Sequence, residues 1–140
     1  MNFVEVFGST KHKREIAHKV VAWYLKKMMP RYRTLEIDVK LTKCMNNGAY
    51  GYCMMGDTNR EFEIEVDKDL RLFDFVSTLC HELTHLKQYA KGEMKQLECG
   101  RVRWKKVIYP ENVSYDDSPW EKEAFRLEQK LAVECFEEVL

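Results

Sequence analysis

A chain of 140 residues with 45% hydrophobic residues can bury a core as one domain and is too apolar to remain disordered. Its 23 basic and 23 acidic residues cancel, which removes any global pull toward nucleic acid or an anionic membrane. No apolar run approaches a membrane span, and Met1-Asn2-Phe3-Val4-Glu5-Val6 lacks the regions of a signal peptide. The expectation is therefore a cytoplasmic protein with no membrane partner. Cys44, Cys53, Cys80, Cys99 and Cys135 show no C-x-x-C spacing, so reduced thiols packed mostly as small apolar residues are expected.

From about Thr10 to Met29 the spacing predicts a helix, capped by Ser9 or Thr10 and followed by Pro30, with Ile16, Val20, Trp23 and Tyr24 on its buried face. His12 and His18 lie on it six residues apart and share no face, which makes them packing or surface histidines. Three strand-like runs come next. Leu35, Ile37, Val39 and Leu41 alternate with polar residues; Ala49 to Met55 follows the turn signal Asn46-Asn47-Gly48; and Glu61 to Asp67 alternates again. The acidic outward residues of the third run suit an edge strand. This predicts an α+β fold in a single domain over 1–140: an N-terminal helix, a small, mostly antiparallel sheet of about three strands, a motif helix and a C-terminal helix.

The motif helix spans Leu72 to about Ala90 and stops at Gly92. Leu72, Val76, Leu79, Leu83, Leu86 and Ala90 form its apolar stripe. On the opposite face stands His81-Glu82-Leu83-Thr84-His85, an H-E-x-x-H pattern. Residues four apart on a helix are neighbours, so His81 and His85 can offer two imidazole nitrogens to one zinc ion. Glu82 stands beside them, where a carboxylate can take a proton from an attacking water. Cys80 points about 100° away from His81 and is not counted as a ligand.

Beyond the motif helix, residues 93–118 are weakly patterned. Val102, Trp104, Val107 and Tyr109 suggest a short extended piece, and Pro110 to Ser118 a polar loop. The basic stretch Arg101 to Lys106 offers a contact surface for nucleic acid, although such runs are usually solvated. Ser118-Pro119 opens a final helix with the stripe Trp120, Ala124, Leu127, Leu131 and Cys135.

A catalytic zinc site wants a third protein ligand, and no histidine follows His85. Glu121 and Glu123 are the candidates. Glu121 borders the buried stripe of its helix, about 60° from Ala124, whereas Glu123 lies on the far side. Glu121 is therefore the preferred ligand, with a capping box on Ser118 as its alternative role. Glu128 lies on the same side as Glu121 and could orient a ligand. Tyr109 and Tyr115 are candidate donors to an oxyanion.

His81-Glu82-Leu83-Thr84-His85-Leu86-Lys87-Gln88-Tyr89, Trp104 and Ser118-Pro119-Trp120-Glu121-Lys122-Glu123-Ala124 together resemble small SprT-like metallopeptidases. The layout is also similar to the minimal gluzincin scaffold of the ImmA/IrrE type. The resemblance implies a zincin-like fold and a zinc-dependent peptidase acting on a protein or peptide substrate, with DNA-bound proteins as one class. It also implies His81, His85 and a C-terminal glutamate as zinc ligands and Glu82 as general base. Two positions depart from those families: better-known SprT-like members use a third histidine, and Phe125 stands where gluzincins often carry an acid. By analogy with metallopeptidases, an extended substrate would add to a free edge of the strand 61–67. The alternatives are a zinc-binding protein without activity and a nucleic-acid-associated protein using residues 101–106.

Overall fold

The computed structural model describes residues 1–43 and 49–140. The turn signal at 46–48 and Cys44 lie outside the described residues. Strand β1 (Phe3–Phe7) leads into helix α1 (Lys11–Met28), followed by β2 (Glu36–Thr42), β3 (Gly51–Met55) and β4 (Glu61–Asp67). These strands form one sheet in the order β1-β2-β4-β3. Thr10 caps α1 as expected, its hydroxyl accepting from the Lys13 amide at 3.2 Å.

The sheet departs from the expected three antiparallel strands. β1 pairs with β2 in parallel, β2 pairs with β4 in parallel, and only β3 and β4 are antiparallel. A parallel pair needs a long crossover, and α1 supplies it between β1 and β2. Alternation identifies which residues of a strand face the core, but it carries no information on which strands become neighbours. The acidic strand β4 is accordingly not an edge: it inserts between β2 and β3. Glu61, Glu63 and Glu65 face the open side of the sheet, where Glu63 pairs with Lys40 at 2.7 Å and accepts from the Tyr52 hydroxyl at 3.1 Å. Among the described residues, the strand beside the motif helix with only one partner is β3.

Helix α2 (Leu72–Ala90) is the centre of the molecule. The expected stripe is buried except for Leu72, which is 42% exposed in the first turn. The opposite face is buried as well, because the final helix α3 (Pro119–Glu138) packs along it and β3 crosses it. Leu79, Leu83 and Leu86 have no exposed surface. Burying each of them contributes on the order of 2 kcal/mol. The Tyr24 hydroxyl of α1 donates to Thr84 Oγ1 at 3.0 Å, and Thr84 Oγ1 donates to the Cys80 carbonyl at 2.9 Å. These bonds tie α1 to the middle of α2. Gly92 has a φ of +73°, the left-handed stop expected after this helix.

The weakly patterned region forms a second sheet. β5 (Met94–Gln96), β6 (Val102–Trp104) and β7 (Val107–Tyr109) pair antiparallel in that order. Its inner face carries Met94, Val102 and Trp104, all buried. The Trp120 ring stacks edge-on against Tyr109 at 5.5 Å and lies 6.4 Å from that of Trp104. The small sheet thereby braces the first turn of α3, the turn that carries Glu121. Among the described residues Cys53, Cys80, Cys99 and Cys135 are free thiols; Cys80 and Cys135 are buried and Cys99 is exposed. Among the described residues no helix is long and apolar enough to cross a membrane.

Candidate metal centre

His81 and His85 project from one face of α2 with their rings edge-on, centroids 4.9 Å apart. Across from them stands Glu121, two residues into α3. Its Oε1 lies 3.0 Å from His85 Nε2 and 3.2 Å from His81 Nε2. Two imidazole nitrogens and one carboxylate oxygen thus sit within 4.8 Å of one another, a group that could hold a metal ion. The other ring nitrogens have their own partners: His85 Nδ1 is 2.8 Å from Gln88 Oε1, and His81 Nδ1 is 3.6 Å from Glu128 Oε2. Such outward partners turn the Nε2 lone pairs inward. A lone pair facing a carboxylate oxygen at these distances is repulsive unless a cation, either a proton or a metal ion, lies between them. The donor set therefore fits a metal ion of the kind bound by imidazole and carboxylate groups.

The centre opens into a cleft of about 460 Å³ whose lining includes Gly51, Tyr52, Glu82, Tyr89, Tyr115 and Phe125. Strand β3 runs along its rim because Gly51 allows a close approach to α2. A Cβ built on Gly51 would come within 3.0 Å of Thr78 Cγ2 and 3.3 Å of Glu82 Cγ, besides 2.8 Å from a backbone oxygen of Glu65. Any larger residue would push the strand away from the helix.

The electrostatics follow from burial and opposed charge. Burial opposes a charged His81, but the carboxylates of Glu121 and Glu128 outweigh it and push the pKa up to about 10. His85 is likewise held above the ordinary imidazole range, burial being overcome by Glu121. Burial alone would raise Glu121, yet the two imidazoles bring it down to about 2. Glu82 has no such partner: burial pushes it up to about 7, only partly offset by the positive charge of His85 and His81. Glu82 is 6% exposed and lies on the floor of the cleft.

The structure thus brings His81, His85, Glu121, Glu82 and Glu128 together. Glu121 forms no capping box, since its carboxylate faces the imidazoles, and the Ser118 hydroxyl donates to the Ser114 carbonyl at 2.9 Å. Glu123 points elsewhere, accepting from Lys87 Nζ at 2.9 Å and from Gln88 Nε2 at 3.1 Å. His12 and His18 are remote; His18 Nε2 is bonded to the Val4 carbonyl at 3.0 Å. Tyr115 lies in the cleft with its hydroxyl toward Glu121, while the Tyr109 ring packs on Trp120. Gln88 and Gly51 escape the sequence reading. Gln88 lies three residues after His85, on the same helix face, and that spacing is the one signal that points to it. Comparison of the chain with protein-family models, with curated proteins and with solved structures gives no match. The functional reading accordingly rests on the chain's own residues.

Proposed function

We propose that the protein is a zinc-dependent metallopeptidase of the SprT-like or minimal gluzincin kind. The observation that carries the proposal is the convergence of three ligand atoms with a buried carboxyl, Glu82, in one cleft along a strand edge. His81, His85 and Glu121 would hold the ion. Zinc in such a site supplies Lewis acidity, which lowers the pKa of a water and polarises a carbonyl. Glu82 accepts the proton of the attacking water and passes it to the leaving amine. In the metal-free protein burial already holds Glu82 well above the usual carboxylate range, up to about 7. An extended peptide adds to the outer edge of β3, at Gly51 to Cys53, and comes to lie along the cleft. The strand 61–67 does not serve, because both of its edges are paired.

The test is a comparison of wild type with Glu82→Gln in zinc content and in hydrolysis of unstructured protein substrates. Zinc retained with hydrolysis lost supports the peptidase. Zinc retained with neither protein cleaving any substrate favours a zinc-binding protein without activity.

A second reading has its own observation. Lys95 and Arg103 stand opposite each other on the outer face of the small sheet, next to Ile108, with Arg101, Lys105 and Lys106 nearby. Among the described residues none of these five forms an ion pair with a side chain. A nucleic-acid contact here predicts binding that weakens steeply with salt and falls in Arg103→Ala.

A further inference from the structure

Gln88, a polar side chain of α2, bridges His85 and the opening turn of α3. It has no exposed surface. Its Nε2 lies 2.9 Å from the Trp120 carbonyl and 3.1 Å from Glu123 Oε1. Both of those partners are acceptors only, so the NH₂ end must face them. That forces the amide oxygen toward His85 Nδ1 at 2.8 Å. An amide oxygen cannot donate, so Nδ1 must carry the hydrogen. The lone pair available to an ion is then on Nε2, the nitrogen that faces Glu121.

The same amide holds α3. The Trp120 carbonyl belongs to the peptide unit that leads into Glu121, and Glu123 is the next carboxylate along the helix. Lys87 Nζ completes the set, 2.9 Å from Glu123 Oε1 and 3.2 Å from Glu93 Oε1. One buried amide therefore reaches His85 on one side and the turn bearing Glu121 on the other.

We infer that Gln88 is the positioning residue of the metal centre: it assigns Nε2 of His85 as the ligand atom and fixes the separation between His85 and Glu121. This rests on the metal-site reading above, but part of its test does not need a metal. In ¹⁵N-labelled, metal-free protein, His85 should show a slowly exchanging Hδ1 resonance, whether the ring is neutral or charged. The resonance should disappear in Gln88→Met, a substitution close in volume, while that of a buried group on another helix, the Trp23 indole N–H, remains. Zinc affinity, measured by competitive chelator titration, should fall by about 10- to 100-fold in Gln88→Met. Gln88→Glu keeps an acceptor for Nδ1 and loses both donors, so it should keep the resonance and bind zinc with intermediate affinity. A folded Gln88→Met that binds zinc within about twofold of wild type overturns the inference. So does a wild-type His85 without an ordered Hδ1, a result that stands even if the variant fails to fold. Wild type that binds no metal would defeat the metal-site reading alone, and the Hδ1 measurement would still decide the role of Gln88.

Discussion

Glu121 and Glu123 stand two residues apart in the opening turns of α3, both half-buried against α2, and they meet opposite surroundings. Glu123 is satisfied. Lys87 brings a full positive charge and Gln88 one amide hydrogen, the other going to the Trp120 carbonyl, and together they hold the carboxyl below its ordinary range despite burial. Glu121 faces two Nε2 atoms whose rings donate outward to Gln88 and lean on Glu128. A carboxylate met by Lys and amide donors is complete as a structural contact. A carboxylate met by imidazole lone pairs is complete only when a cation is supplied. The difference between structure and function on this helix is thus the chemistry of the partner, not the depth of burial.

The largest effects should come from breaking the Glu121 side. Wild type purified without chelator should carry about one zinc per chain by elemental analysis, and His81→Ala, His85→Ala and Glu121→Ala should carry almost none. Glu123→Ala should keep its zinc at saturating metal. If Glu123→Ala alone loses the ion, the assignment of the two carboxylates is inverted.

Next in size is Glu82→Gln. On the proposed function it keeps zinc near wild-type affinity and lowers peptide hydrolysis by about 10²- to 10⁴-fold, because the base is removed and the ligands remain. Steady-state rates beside metal content read this directly. Equal rates in the two proteins would remove Glu82 from the mechanism.

Much of this contrast is legible in the sequence, and the reason is local geometry. The three-four spacing of α2 sets His81 and His85 side by side, and the helical wheel turns Glu121 inward and Glu123 away. What is not legible depends on partners distant in sequence. Lys87 on a helix face reads as solvated, and it is only 7% exposed because Glu93 and Glu123 arrive from other elements. Glu123, on the far side of its helix's stripe, is drawn into contact with α2 for the same reason. Phe3–Phe7 alternates as a strand should, but it is a short edge whose pairing with β2 is set by the α1 crossover. The place of β4 between β2 and β3 is equally invisible, since both orders bury the same residues. The aromatic residues of 102–109 announce burial but not a sheet; their target, Trp120, lies on another helix.

The Glu123 side should reveal itself in stability. Lys87→Met leaves Glu93 and Glu123 close together without their cation, a loss of about 3–5 kcal/mol for a broken buried pair. Urea unfolding of the metal-free proteins measures it. The expected zinc stoichiometry of the folded variant is unchanged, which would separate this cluster from the centre next to it. A loss below about 1 kcal/mol would mean that the pair is as weak as an exposed one.

The smallest effect is a pH dependence, and its sign follows from the groups of the metal centre. In metal-free protein the His81 pKa is raised to about 10 by Glu121 and Glu128, against burial. A group raised on folding contributes stability that is fully present below its unfolded pKa, about 6.5, and is lost as pH rises through the folded value. Glu121, lowered to about 2, contributes stability that is present above about 4.5 and lost only as pH falls toward 2. Between pH 6.5 and 10 metal-free wild type should therefore melt at progressively lower temperature, and His81→Gln should show a shallower slope. Zinc replaces those protons, so the zinc-bound form should lose this dependence, and zinc affinity should rise with pH over the same interval. Thermal melts at fixed ionic strength, with chelator and with excess zinc, give both slopes. Parallel slopes in the two forms would mean that proton and metal do not compete for the Nε2 atoms, and that the repulsion between them and Glu121 is relieved in some other way.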